Sequence, residues 1–381
     1  MTPGGPASTA GVGSGPHASE DAGAGTPAGR SGTAGGGDVA FGVDIGGTKV
    51  LGVAVDGSGR VAAEARVPTP HGVADPDGLS PAEVGAEVAD AVAAVVAELR
   101  VAAGWPDGAP VGVGAPGMVD RNGVLRFAPN LPAAAGADIR ALVADRLAAA
   151  GRATVGGPTA AGPAELVVVD NDATFAALAE LRVGAARGAT HPLVVTLGTG
   201  IGGGLVQDGR LQVGRSGFAG EVGHMVMDPT GPPCRCGQRG CWERYASGDG
   251  LGRLAREAAY AGHLHEVVGM AGGDPELVRG EHVTRAALDG DPGALAVMDD
   301  LGWWVALGLA NLTAVLDPDR IVVGGGLVEA GQLLLAPTRR AFAGLVEGGA
   351  ARPEVPIVAA ELGERAGAVG AALAARDGGI G

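Results

Sequence analysis

Residues 39–67 read VAFGVDIGGTKVLGVAVDGSGRVAAEARV. The run reads as strand, glycine turn, strand, Gly-Ser-Gly turn, strand. Residues 50–55 are short, apolar and β-branched, as a buried strand should be. The first turn, Asp44-Ile-Gly-Gly-Thr-Lys49, lacks a Cβ at Gly46 and Gly47. Consecutive backbone N–H groups can therefore point at an anion, and Thr48 adds a hydroxyl donor. Asp44 is placed to hold Mg²⁺, usually through water because that ion dehydrates reluctantly. Lys49 is the only lysine in the chain. A GC-rich genome is the plain account of that bias, but the residue sits in this turn.

Working outward, residues 1–38 are Gly, Ala, Pro, Ser and Thr with few large apolar side chains. Such a segment buries too little to offset its entropy and is expected to be disordered. It holds no helix pair that could read DNA. Downstream, Ser80-Pro81-Ala82-Glu83 predicts a capped helix start, with Val84, Val88, Val95 and Leu99 on one apolar face. VGVGAPG (111–117) reads as a strand ending in a glycine loop, 137–150 as a helix, and 156–164 as a flexible surface insertion. LVVVD (166–170) is a strand running into Asn171-Asp172, followed by a helix to about residue 185. The second half repeats the theme with LVVTLGTGIGGGLVQDG from 193 and RIVVGGGLVEAG from 320. A long apolar helix over 292–316 precedes the latter, and 367–375 gives a last helix. Strands alternating with helices predict an α/β fold.

Composition narrows the function classes. Apolar residues make up 46% of the chain but aromatics only 3%, so Ala, Val and Leu must build the core. The net charge of −15 argues against a nucleic-acid surface and an anionic membrane. Three cysteines cannot make a disulfide framework, and the compartment reads as reducing and cytoplasmic. No apolar run reaches the roughly 18 residues of a membrane span, and no signal-peptide pattern opens the chain.

Three strands end in glycine loops: Asp44 to Lys49, Leu197-Gly-Thr-Gly-Ile-Gly-Gly-Gly204, and Val323-Gly-Gly-Gly-Leu327. Any one alone reads as an ordinary turn. The spacing fits neither a Walker A motif nor a Rossmann fingerprint. Together they resemble the phosphate-1, phosphate-2 and adenosine loops of the actin-like ATPase and sugar-kinase superfamily. That resemblance implies two actin-like (ribonuclease H-like) α/β domains closing over a nucleotide. ATP would be held by Asp44, Gly46, Gly47, Thr48, Lys49, Thr199, Gly200, Gly202, Gly325 and Gly326.

Asp170, Asn171 and Asp172 fall at a strand end before a helix. One reading is a helix N-cap, where Asp and Asn are favoured. The other is a general base that takes an alcohol proton as oxygen attacks phosphorus. Both can hold, with Asp170 capping and Asp172 reacting.

All three cysteines lie in EVGHMVMDPTGPPCRCGQRGCWERYASG (221–248). His224-x9-Cys234-x-Cys236-x4-Cys241 is four N and S ligands, a set that suits tetrahedral Zn²⁺ in a closed, structural site. Free thiols and a redox pair are the competing readings. Glu221-Val-Gly-His224, the cysteine spacing and Cys241-Trp-Glu243 resemble the signature of the ROK family, and the likeness runs from about residue 39 to the end. It implies that Asp172 is the catalytic base. It further implies that Gly117, Asn130, Asn171, Asp172, Glu221, His224 and Glu243 surround a sugar. His224 would serve twice, one ring nitrogen on zinc and the other on a hydroxyl. The sequence departs from the family where Ala173-Thr-Phe-Ala176 stands for the usual Ala-Asn-Ala-Ala, which assigns Phe175 to helix packing. The expected domains are a tail (1–38), a small domain (39–169, with 365–378 returning to it) and a large domain (170–364).

The family resemblance implies an ATP-dependent hexose kinase, a glucokinase first, with N-acetylmannosamine or N-acetylglucosamine kinase as the near alternative. A non-catalytic sugar-binding regulator and a chaperone-type ATPase are the other classes, and polyphosphate is a second possible donor. The expected partners are a small-molecule sugar and ATP, with no nucleic acid or membrane, in a homodimer or homotetramer.

Overall fold

The computed structural model describes residues 39–70, 79–105, 108–129, 131–155 and 166–380, with 151–155 described by backbone alone. The expected disordered start, Asn130 and the 156–164 insertion lie outside the described residues.

The chain enters as β1 (Ala40–Ile45), β2 (Lys49–Val55) and β3 (Val61–Pro68) and continues into helix α1 (Pro81–Ala103). It goes on through β4 (Val111–Ala115), the hairpin β5 (Met118–Val119) and β6 (Leu125–Phe127), helix α2 (Ile139–Val155) and β7 (Val167–Asn171). Helix α3 (Asp172–Val183) leads to β8 (Pro192–Leu197), β9 (Ile201–Gln207) and β10 (Arg210–Leu211). A loop rich in glycine and proline follows. Then come α4 (Glu243–Ala246), α5 (Gly248–Tyr260), α6 (His265–Met270), α7 (Gly280–Leu288) and α8 (Pro292–Leu316). The chain closes with β11 (Arg320–Gly324), α9 (Gln332–Leu345), β12 (Ile357–Ala359) and α10 (Ala366–Arg376).

Two five-stranded sheets share one topology. The first has the order β3-β2-β1-β4-β7 and the second β10-β9-β8-β11-β12. In each, a glycine turn folds the leading strand antiparallel onto the next, and its other edge pairs in parallel with a later strand. The repeated glycine theme of the sequence is thus a repeated sheet. The N-terminus of α1 is the expected capping box, with Ser80 Oγ accepting from Glu83 N and the Glu83 carboxylate accepting from Ser80 N. Val84, Val88, Val95 and Leu99 are all buried against the first sheet.

Helices α3 and α10 form the layer between the sheets. Their core takes Val53 and Val168 from the first sheet and Val194 and Val322 from the second. Helix α10 is almost entirely Ala and Gly. A Cβ on Gly42 would collide with Ala368 O, and one on Gly112 with Ala371 O. The C-terminal helix therefore lies directly on β1 and β4. Phe175 is fully buried in this layer, as a packing residue should be.

Helix α8 is long and apolar, but Asp299 and Asp300 break its run short of the roughly 18 residues expected of a span. By length and mean hydropathy alone, 1.3, it passes as a span. Its apolar face, with Val297, Leu301, Val305, Leu309 and Leu312, is buried in the fold, where it carries the core of the second sheet.

Candidate active site

The ends of the parallel strands open onto one cavity of about 720 Å³. Its lining includes Asp44, Gly46, Gly47, Thr48 and Lys49 from the first turn, and Thr199, Gly200 and Gly202 from the second. Gly325 and Gly326 complete the third loop, and Gly117, Asn171, Asp172, Glu221, His224 and Glu243 line the same space. Every expected ligand-facing residue that is described therefore meets the others in one cleft.

The first turn is braced locally. Gly46 N donates to Lys49 O at 2.9 Å, and Thr69 Oγ1 donates to Gly46 O at 2.7 Å. Across the cleft, Gly198 N donates to Gly200 O at 3.0 Å, and Gly248 N, at the start of α5, donates to Gly198 O at 2.7 Å. Two glycine turns thus line the same cavity, an arrangement that can cradle a polyanion.

Asp172 is the first residue of α3. Its Oδ1 accepts from Ala173 N at 2.8 Å. The cap is Asn171, whose Oδ1 accepts from Thr174 N at 3.0 Å. This corrects the expectation that Asp170 would cap; Asp170 instead accepts from Asn171 N at 2.7 Å. Asn171 Nδ2 also donates to Gly117 O at 3.0 Å, which leaves one amide hydrogen for a ligand.

Burial, with Asp172 nearby, pushes the Asp44 carboxyl up to about 8 against the pull of Lys49. Asp44 Oδ1 is buried without a hydrogen-bond partner. An orphaned carboxylate oxygen at the floor of a phosphate cradle fits a hydrated Mg²⁺. Burial also pushes Asp172 up to about 6, opposed by backbone N–H groups and the Asn171 side chain. That places it near the operating pH, where a general base works best. Glu221 is raised by burial, and the His224 charge opposes the shift.

His224 divides its two nitrogens. Nε2 faces Glu221 Oε2 at 3.9 Å in the cleft, and Nδ1 faces Cys234 Sγ at 3.7 Å. The ligand atoms of His224, Cys234, Cys236 and Cys241 all lie within 4.8 Å of one another, and Cys236 Sγ is 3.6 Å from Cys241 Sγ. Tetrahedral zinc with Zn–S of about 2.3 Å needs sulfur atoms about 3.8 Å apart. The cluster is close enough to hold that ion once the more distant ligand atoms draw in toward it. Burial pushes the Cys234 thiol up and that of Cys241 to about 11, so these are neutral thiols unless a cation holds them as thiolates. Glu243 stands at the boundary, with Oε1 2.9 Å from Cys234 Sγ.

The comparisons with known proteins agree with this geometry. The profile of the ROK family matches residues 40–377. The chain belongs to the ROK family. It is 38% identical to a glucokinase of Streptomyces coelicolor over 326 residues, which are 85% of this chain and 93% of that one. It is 35% identical to an N-acetyl-D-glucosamine kinase of Salmonella paratyphi A over 286 residues, covering 71% and 78%. The crystal structure of a ROK family glucokinase from Streptomyces griseus in complex with glucose and AMPPNP superposes with a TM-score of 0.73 at 37% identity. That match covers 89% of this chain and 99% of that one. The fold is the two-domain actin-like ATPase fold of the ROK sugar kinases.

Several cleft residues carried no signal in the sequence. Glu364 lines the cavity and forms an ion pair with Lys49, 315 residues away. Arg235, Arg244 and Asp249 line it as well. Glu180, buried in α3, accepts from the backbone N–H of Glu361 and Leu362 and so sets the turn that carries Glu364. Nothing local marks such pairs, because they arise only when distant segments meet.

Proposed function

We propose that this ROK protein is a cytoplasmic, ATP-dependent glucokinase, active as a homodimer or homotetramer. The observation that carries the reading is the single cavity in which three glycine loops meet Asp172, Glu221 and His224. The identity to glucokinases over most of the chain supports glucose as acceptor and ATP as donor. The domain reading is a small domain over 39–169 joined by 365–378 and a large domain over 170–364, with the cleft between them.

In this reading Glu221, His224 Nε2, Asn171 and Glu243 fix the sugar hydroxyls, each buried donor or acceptor gaining a partner. Asp172 takes the proton of the 6-hydroxyl as that oxygen attacks the γ-phosphorus in line. The glycine turns and Thr48, Thr199 and Lys49 hold the phosphates, so catalysis comes mostly from positioning and charge. Asp44 holds Mg²⁺, which when bound offsets charge on the phosphates. His224, Cys234, Cys236 and Cys241 would hold a structural zinc, and their loop carries Glu221 and Glu243 into one space.

ADP release measured with ATP and a panel of hexoses and N-acetylhexosamines tests this. Glucose is expected to give the highest kcat/KM, and Asp172→Asn to lower kcat about 10²- to 10⁴-fold. An N-acetylhexosamine preferred over glucose would move the assignment to the amino-sugar kinases. Full activity in Asp172→Asn would remove the proposed base.

A further inference from the structure

Arg121 stands at the tip of the β5–β6 hairpin, in the loop that follows Gly117. Its guanidinium leaves the hairpin and reaches the opposite wall of the cleft. Nε donates to Arg215 O at 3.0 Å, and Nη2 donates to Gly214 O at 2.6 Å. Those carbonyls belong to the loop after β10 that delivers Glu221 to the cavity. The two backbones also approach closely, since a Cβ on Gly217 would lie 2.7 Å from Val119 O.

The root of this strap is rigid. Asp120 Oδ1 accepts from Asn122 N at 2.9 Å and Val124 N at 3.1 Å, and Oδ2 accepts from Arg126 Nε at 2.7 Å. Arg140 Nη2 donates to Arg121 O at 3.1 Å. The hairpin is tied in turn to the base-bearing helix, through Asn171 Nδ2 on Gly117 O. Arg121 is not needed to hold its own turn, because Asp120 already does so. Both of its side-chain hydrogen bonds go to the other wall. They are charge-assisted, which makes them stronger than neutral ones. They are also made to main-chain oxygens, one of them on Gly214, whose φ of +71° favours glycine in that loop.

We propose that Arg121 is a positioning residue that straps the Gly117–Asn171 wall to the Glu221–His224 wall and so fixes the width of the sugar end of the cleft. It touches no reacting atom. This rests on the reading of those walls as the sugar site. Its effect should fall on sugar capture, while nucleotide binding, at the other end of the cavity, is spared.

The test compares Arg121→Ala and Arg121→Lys with the full chain. The readouts are the KM for glucose, the KM for ATP, kcat, the melting temperature, and the small-angle scattering radius of the sugar-free protein. Arg121→Ala is expected to raise the KM for glucose about tenfold, the scale of one charge-assisted hydrogen bond. The KM for ATP and kcat should stay within about twofold, and the radius should increase. Arg121→Lys, with a single donor group and no fork, should fall between. The proposal is overturned if Arg121→Ala leaves the glucose KM within twofold of wild type. It is also overturned if both substrates are impaired equally alongside a lowered melting temperature, which would be a folding defect. If the wild-type protein phosphorylates no hexose, the parent reading has failed, and scattering alone decides: an unchanged radius in Arg121→Ala removes the strap.

Discussion

Replacing Asp44 by Asn should make the Mg²⁺-free protein more stable at neutral pH while destroying its use of nucleotide. Asp44 is half-buried as a residue with its Oδ1 shut away from solvent, and its folded-state pKa of about 8 lies far above the 3.8 of an unfolded chain. Below pH 3.8 both states hold the proton and the residue is neutral in the balance. Between pH 3.8 and 8 the unfolded chain releases its proton and the folded protein keeps it. Each pH unit in that window therefore removes about 1.4 kcal/mol from the folded state. At pH 7 the loss attributable to this one buried carboxyl reaches about 4 kcal/mol, and above pH 8 it levels off. Asparagine has nearly the same shape and never ionises, so the slope disappears with it.

Melting curves at about pH 4.5, 6 and 8 check this, in buffer free of Mg²⁺ but without a chelator that would also strip zinc. Near pH 4.5 the two proteins should differ little. At pH 8 Asp44→Asn should melt at least about 5 °C higher, given about 2–4 °C per kcal/mol for domains of this size. Adding Mg²⁺ with ADP should raise the melting point of wild type more than that of the variant, because the ion binds only the ionised carboxylate and stabilises by mass action. A variant less stable than wild type at pH 8, or one with the same slope, would mean that Asp44 is ionised and partnered. The Mg²⁺ argument would then lose its orphaned oxygen.

The other expectations are shorter. The kcat/KM for glucose should fall about tenfold per pH unit below about pH 6, as Asp172 takes up its proton; a profile flat to pH 5 would exclude it as the base. The purified protein should carry about one equivalent of zinc per chain, and Cys236→Ser should lose it together with stability and sugar affinity. A metal-free, fully active protein would refute the zinc reading. Gly308→Ala should cost about 1–3 kcal/mol in urea denaturation, because its Cβ would collide with the ring of Trp242, which is fixed by Nε1 donating to Trp304 O at 2.8 Å. Unchanged stability would show that the ring can move aside.

What the sequence revealed follows from how local each signal is. The Asp44–Lys49 turn, the Ser80 capping box and the cysteine spacing are fixed by residues a few positions apart, and each is found where it was expected. The cap at α3 was harder. Asp170, Asn171 and Asp172 are all good N-cap types, and it is the extended backbone at Asn171, with helix beginning at Asp172, that selects Asn171. The run of Ala and Gly in α10 reads as a helix, but its contact with Gly42 and Gly112 needs the sheet to exist first. Lys49 with Glu364, and Arg121 with Gly214, are joined across 315 and 93 positions, and no period or motif connects them. The segment over 292–316 was legible as a helix, and only its burial distinguishes a core helix from a span.

The cysteine loop shows why an ion serves here where packing would not. Between His224 and Glu243 the chain forms only turns and isolated bridges, with Gly237 and Gly240 in left-handed conformations. Apart from Trp242 its apolar contacts are mainly Met225 and Met227, only partly buried against the core, so burial holds the middle of the loop weakly. Four ligands to one cation would hold it firmly. The ends of that loop also line the cleft: His224 at its start turns one ring nitrogen to Glu221 and the other to Cys234, and Glu243 at its end leans on Cys234. Glu243 further lies against the phosphate-2 turn, where a Cβ on Gly200 would come within 2.7 Å of its Oε2. One metal bound there would constrain both ends of the proposed sugar wall and the adjoining glycine turn at once. For that reason zinc loss should show first as weaker sugar binding, before the rest of the fold gives way.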